Sequence, residues 1–131
     1  MSKFGDICTL LATSGTYTHW SLAKIGEAIG YPLSLNQCFV YYRDEKPVGI
    51  ITYAYVSDEA LSALMSGERV IQHEDWQSGE HLFVPDLIAP FGDVRTMTKH
   101  FHKFVKDSHG DGFRCNWYRP ALKRTGYAKT R

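Results

Sequence analysis

Residues 74–93 read EDWQSGEHLFVPDLIAPFGD. The stretch holds a tryptophan, a Ser-Gly turn, an apolar run and a second turn, in the order expected of a strand leading into a helix. Its apolar part, HLFVPDLIA, reads as a strand. Pro85 cannot donate to a ladder, so the strand is expected at an edge or bulged at that point, and a bulge would re-aim the adjacent side chain, Asp86. A carboxylate among Phe, Val, Leu and Ile is costly unless something nearby uses it.

On either side of this stretch the hydrophobic periods alternate. Downstream, Asp93 is a candidate N-cap for a helix whose apolar stripe is Val94, Met97, Phe101, Phe104 and Val105, and GFRCNWY reads as a last strand followed by a basic tail over about 114–131. Upstream, Ser57 caps SDEALSALM, with acids in its first turn and Leu61, Leu64 and Met65 on one face. Before it, QCFVYY and VGIITYAYV flank the turn RDEKP and predict an antiparallel pair of central strands covered on both faces. Leu22, Ile25 and Ile29 predict a short helix stopped at Gly30, with Pro32 barring its continuation. The order is helix, two or three strands, helix, strand, helix, strand. A mixed sheet with helices packed on it satisfies these faces, which is an α+β or α/β domain.

At 131 residues and 44% hydrophobic, the chain is expected to form one domain, 1–131. Three widely spaced cysteines fit neither a metal ribbon nor a disulfide scaffold. With an N-terminal apolar piece, Ile7 to Ala12, too short for a membrane span or a signal-peptide core, the expectation is a soluble cytoplasmic protein. The net charge of +1 hides an asymmetry: residues 1–93 hold 5 Lys/Arg against 12 Asp/Glu, whereas 94–131 hold 10 against 2. The two ends could neutralise each other on folding, or the basic end could meet an acidic partner.

Among six histidines no pair has HExxH spacing, so no metal is expected, and no G-x-S-x-G, Walker A or G-x-G-x-x-G is present. His19 differs in its setting. SGTYTHW is a Gly/Ser/Thr loop that delivers His19 and Trp20 onto the first predicted helix, a usual place for a working side chain. The plainer reading of the same pattern is that Trp20 anchors the core with His19 as its exposed neighbour.

THW near the N-terminus, NQCFVYYRDEKPV at 36–48 and EDWQSGEHLFVPDLIAPFGD at 74–93, in that order and spacing, resemble the lysine acyltransferases that activate RTX toxins. The resemblance covers roughly residues 14–115. It implies a fold like that of the GCN5-related N-acetyltransferases (GNAT-like): α+β, a mixed and mostly antiparallel sheet flanked by helices. It also implies transfer of a fatty acyl group from acyl carrier protein to a lysine ε-amine of a protein acceptor of the RTX protoxin type. By their places in the motifs, His19 and Asp86 match the family's catalytic histidine and aspartate. No bound cofactor or metal is implied, since the acyl group arrives as the phosphopantetheine thioester of the carrier. A homodimer is compatible with this reading. In the family, polar or charged residues usually separate the histidine from the tryptophan and an aromatic commonly follows the aspartate. Here His19 and Trp20 are adjacent, Leu87 follows Asp86, and YRPALKRTGYAKTR does not resemble the family's C-terminal portion.

A thioester is already activated, so the difficulty is a neutral lysine amine, whose ordinary pKa is ~10.4. An imidazole can take that proton at physiological pH, and a carboxylate can orient it and stabilise its cation. Attack on the thioester by His19 itself is the other route. Backbone N–H groups beside Asp86 are candidate oxyanion donors, because Pro85 would splay the strand. Acetyl-CoA enzymes of this fold usually carry a glycine-rich loop for pyrophosphate between this strand and helix, and APFGDVRT has only Gly92, which suits a carrier-protein donor better than free acyl-CoA. Arg114, Arg119, Lys123, Arg124, Lys129 and Arg131 could meet that acidic carrier. The alternative is a repurposed binding or assembly component, its basic tail gripping nucleic acid or an acidic protein.

Overall fold

The computed structural model describes residues 3–15, 17–119 and 124–130. The chain is α+β and divides into two compact units, Met1–Thr52 with Asp86–Thr98, and Tyr53–Pro85 with Lys99–Arg131.

The first unit opens with a helix that the sequence reading missed, α1 (Lys3–Thr13), which buries Ile7, Leu10 and Leu11 at helical spacing. The helix predicted to stop at Gly30 runs on instead. α2 (Leu22–Ile25) passes into a π-turn (Gly26–Gly30) and then α3 (Tyr31–Ser34), so that Pro32, which lacks an N–H, sits in the first turn after the bonding register has changed. Gly30 is helical in conformation. A Cβ there would press on the Phe4 ring at 3.3 Å, so this glycine serves the close approach of α1. The stop falls at Asn36, in the left-handed region with φ 59°.

β1 (Cys38–Arg43) and β2 (Lys46–Thr52) form the expected antiparallel pair around Asp44 and Glu45, whose positive φ values, 50° and 67°, belong to a tight hairpin turn. β2 is central and buried, but β1 is an edge strand, because the third strand, β5 (Leu87–Ile88), pairs with β2 on the far side. Ile7, Leu10, Leu11, Ile25, Ile29, Ile50 and Ile88 pack into one core. Arg43 pairs with Asp93 at 2.7 Å. Asp93 stands before α5 (Val94–His109) with Oδ1 paired to Arg43 and Oδ2 buried without a hydrogen-bond partner among the described residues, while its carbonyl accepts the Met97 N–H at 3.0 Å.

The second unit holds a four-stranded sheet in the order β3 (Ala54–Val56), β4 (His81–Val84), β6 (Arg114–Arg119), β7 (Arg124–Lys129). Its pairings are antiparallel except β4 with β6. VGIITYAYV and HLFVPDLIA, each expected as one strand, are thus each cut in two, at Tyr53 and at Pro85–Asp86, with the halves in different sheets. Alternation along a run cannot reveal such a change of sheet. α4 (Asp58–Ser66) is capped as expected by Ser57, whose Oγ accepts the Ala60 N–H at 3.2 Å, and ends at Gly67 with φ 77°.

The block EDWQSG builds this unit. Trp76 is fully buried, its carbonyl accepts the Tyr55 N–H at 3.0 Å, and Ser78 accepts the Ser57 N–H and donates to the Asp75 carbonyl. Gly79 lies so close to the Val56–Ser57 backbone that a Cβ would overlap it. In the stretch read as a basic tail, β6 and β7 are paired strands, with the Arg114 guanidinium 3.7 Å from the Tyr127 ring centroid. Lys123 and Arg131 lie outside the described residues. No described helix is long and apolar enough to cross a membrane.

Candidate active site

His19 stands on a turn closed at its base. The Trp20 N–H donates to the Tyr17 carbonyl at 3.1 Å, leaving Thr18 and His19 at the corner, and the Tyr17 and Trp20 rings meet edge-on at 4.9 Å. Trp20 packs against the core of the first unit while His19 is exposed. Trp20 as anchor and His19 as displayed neighbour are therefore one arrangement.

Asp86 belongs to the same unit, at the start of the segment that becomes β5. Its backbone is held from both sides: its carbonyl accepts the Thr52 N–H at 3.0 Å, and its own N–H donates to Thr52 Oγ1 at 3.2 Å. The Asp86 N–H is thereby occupied. The half-buried carboxylate has no hydrogen-bond or ion-pair partner among the described residues, and burial pushes it up to about 6, with Lys24 pulling in the other direction. Burial, with the Asp86 charge added, raises the Tyr17 phenol. No hydrogen bond or ion pair joins His19 to Asp86 among the described residues; what the two share is the Tyr17–Trp20–Lys24 neighbourhood.

The other candidate nucleophiles and bases are accounted for differently. Cys38 and Cys115 are pushed up to about 12 by burial and supply no thiolate at neutral pH. His81 pairs with Asp58, and His109 shares a 2.9 Å hydrogen bond with the Tyr55 hydroxyl while stacking on Phe113 at 4.0 Å. Sequence reading passed over Tyr17, Lys24 and Thr52. Lys24 had a signal, being four residues after Trp20 at a helix start and so on the same face; Thr52 had none, because its bond to Asp86 spans 34 positions.

The family model of the RTX toxin acyltransferases matches residues 1–119. The chain belongs to the RTX toxin acyltransferase family. Its match takes in His19, Asp86 and the Thr52 pairing and ends at the close of β6. Among curated proteins the chain is 33% identical over 103 residues to the lysine-acyltransferase RtxC of Vibrio cholerae, covering 77% of this chain and 67% of that one. It is 29% identical over 106 residues to the protein-lysine myristoyltransferase RtxC of Kingella kingae, covering 81% and 64%. It is 28% identical over 103 residues to the protein-lysine myristoyltransferase HlyC of Escherichia coli, covering 79% and 61%. The chain thus spans about two thirds of the length of these relatives.

Proposed function

We propose that this chain is a protein lysine acyltransferase that moves a fatty acyl group from acyl carrier protein to the ε-amine of a lysine on an acceptor of the RTX protoxin type, with His19 as the proton acceptor and Asp86 as its partner. The observation that carries this is the Asp86 carboxylate, backbone-locked by Thr52 and without a side-chain partner, in the same unit as an exposed histidine on a stapled turn. In the reaction the lysine amine attacks the thioester carbonyl, the amine proton passes to His19, and the carrier thiol leaves as the tetrahedral intermediate collapses, drawing that proton back. Asp86, mostly ionised at neutral pH, stabilises the imidazolium between those two transfers. The family membership and the names of the relatives support the acyl class, and the APFGDVRT junction, with Gly92 as its one glycine, suits a carrier-protein donor better than free acyl-CoA.

The test is incubation of the protein with carrier loaded with a long acyl chain, with and without an RTX-type acceptor, read by intact mass. Loss of the acyl group from the carrier that depends on His19 supports the reading. Equal acyl loss with His19→Ala, or none with any chain length and acceptor present, overturns it.

A further inference from the structure

α5 carries four lysines and arginines against one aspartate, and its lysines are not scattered. Lys99, Lys103 and Lys106 follow one another at i, i+4 and i+7, which puts them in one row along the helix, with His102 beside them. All four side chains are exposed and belong to the second unit. The opposite stripe is apolar: Phe101 and Val105 are buried, and the Phe101 and Phe104 rings lie 5.6 and 5.3 Å from the Tyr53 ring centroid. The helix thus turns its aromatic residues inward and its ammonium groups outward, over ~10 Å from Lys99 to Lys106 at 1.5 Å per residue.

The acids that meet these lysines are local. Lys103 pairs with Asp107 at 3.0 Å, one turn further along the same helix, and Lys106 pairs with Asp111 at 3.5 Å in the loop that follows. Lys103 and Asp107 are 77% and 65% exposed, so the pair stands in water and adds little to stability. Lys99 has no ion-pair partner among the described residues. Neither pair ties α5 to a distant segment, as Arg43 and Asp93 tie the β1–β2 hairpin to the start of α5. Such lysines can exchange one carboxylate for another without loosening the fold. In the stretch read as a basic tail, by contrast, Arg114 is engaged by the Tyr127 ring and by Asn116 Oδ1 at 2.8 Å.

The composition of the face selects among acidic partners. Single-stranded nucleic acid asks for a positive track with aromatic rings on which bases stack. Here the rings of the helix face the core, and Asp107 and Asp111 stand among the lysines, where they would repel a run of phosphates. A small acidic protein meets a mixed face differently, its carboxylates replacing the resident acids one at a time. We propose that the row Lys99, Lys103 and Lys106 is the docking surface for the acyl carrier, with Asp107 and Asp111 holding two of its lysines until carboxylates of the carrier take their place. In naming the carrier as the occupant, the proposal rests on the acyltransferase reading above.

The test uses the full chain, an acyl carrier protein bearing its phosphopantetheine arm, and two donors: that carrier acylated, and the same acyl group on free pantetheine. Lys99→Glu combined with Lys103→Glu should weaken carrier binding about tenfold or more at low salt, and the wild-type affinity should fall toward that of the variant as salt rises past physiological strength. Lys46→Glu combined with Lys129→Glu makes the same change in net charge at exposed positions elsewhere, one of them in the tail stretch, and should weaken binding less than about threefold. In the transfer assay the α5 variant should lose kcat/KM for the carrier-borne acyl group by a factor similar to its loss of binding, and keep its rate with acyl-pantetheine. Equal binding by wild type and α5 variant, equal losses in the two double variants, or an equal loss with both donors overturns the proposal. So does a single-stranded oligonucleotide that binds through these lysines more tightly than the carrier at the same salt. If the carrier binds as stated while neither donor yields transfer to any acceptor, it is the acyltransferase reading that fails and the docking surface that stands.

Discussion

Asp75 and Asp86 lie in one short block of sequence, and the fold treats them in opposite ways. Asp75 is buried, yet Arg69 grips both of its oxygens, one through Nη2 at 3.1 Å, and the Gln72 N–H adds a third bond at 2.8 Å. Burial alone would raise it, but these partners outweigh burial and hold it below the usual carboxylate range. Asp86 receives no such company, and burial takes it up to about 6. Only the second can change its protonation state near neutral pH. A carboxylate already supplied with partners builds the structure; one that the backbone holds still and no side chain answers is available for chemistry.

The sharpest way to break this contrast is at the site. His19→Ala should lower acyl transfer by about 10²–10⁴-fold, the range for a lost general base, with the melting temperature unchanged because the side chain is exposed and unbonded. Wild-type activity in that variant would leave Asp86 without a role. Asp86→Asn should reduce the rate about 10²-fold or more and at the same time stabilise the fold. The sign follows from the raised folded-state pKa: the stability linked to Asp86 is complete below its unfolded value near 3.8 and is lost as pH rises through about 6. The asparagine variant escapes that loss, so above pH 6 it should gain about 2–3 kcal/mol in chemical denaturation and differ little at pH 4.

Asp75→Ala tests the other half of the comparison. It should destabilise by about 2 kcal/mol, since Arg69 is left partly desolvated although still in contact with water. Here the pH dependence has the opposite sign. Asp75 contributes its stability above the unfolded carboxylate pKa, and loses it as pH falls through its lowered folded value. At neutral pH the two variants should therefore deviate from wild type in opposite directions, and both deviations should shrink on acidification, that of Asp86→Asn by about pH 4 and that of Asp75→Ala as pH falls through the lowered Asp75 value. The smallest effect is expected from Ser57→Ala, which removes the α4 cap for about 1 kcal/mol and should leave transfer rates alone.

The α+β class, the β1–β2 hairpin, α4 with its serine cap and glycine end, and α5 were legible because each depends on local period and capping. α1 is less legible because Ile7 to Ala12 is a short apolar piece that also fits part of a leader or membrane segment, and only the spacing of Ile7, Leu10 and Leu11 points to a helix. Gly30 misled because a helical glycine and a stop glycine look alike until Phe4 is seen against it. The two cut strands were illegible in principle, since a run of apolar residues does not say which sheet each half joins. At the candidate site His19 and Asp86 stood out through the blocks they share with a family, whereas Thr52 meets Asp86, and Asp86 acts on Tyr17, only after the chain has folded back on itself.

The three tryptophans are placed as an optical gauge. Trp76 is sealed in the second unit and should emit at short wavelength, whereas Trp20, half-buried with an ammonium and a phenol beside it, is exposed to quenching by its neighbours. A variant with Trp76 and Trp117 replaced by phenylalanine would therefore glow only from the turn beside His19, and titrating an acyl carrier into it would turn the arrival of the proposed donor into a change of colour and brightness.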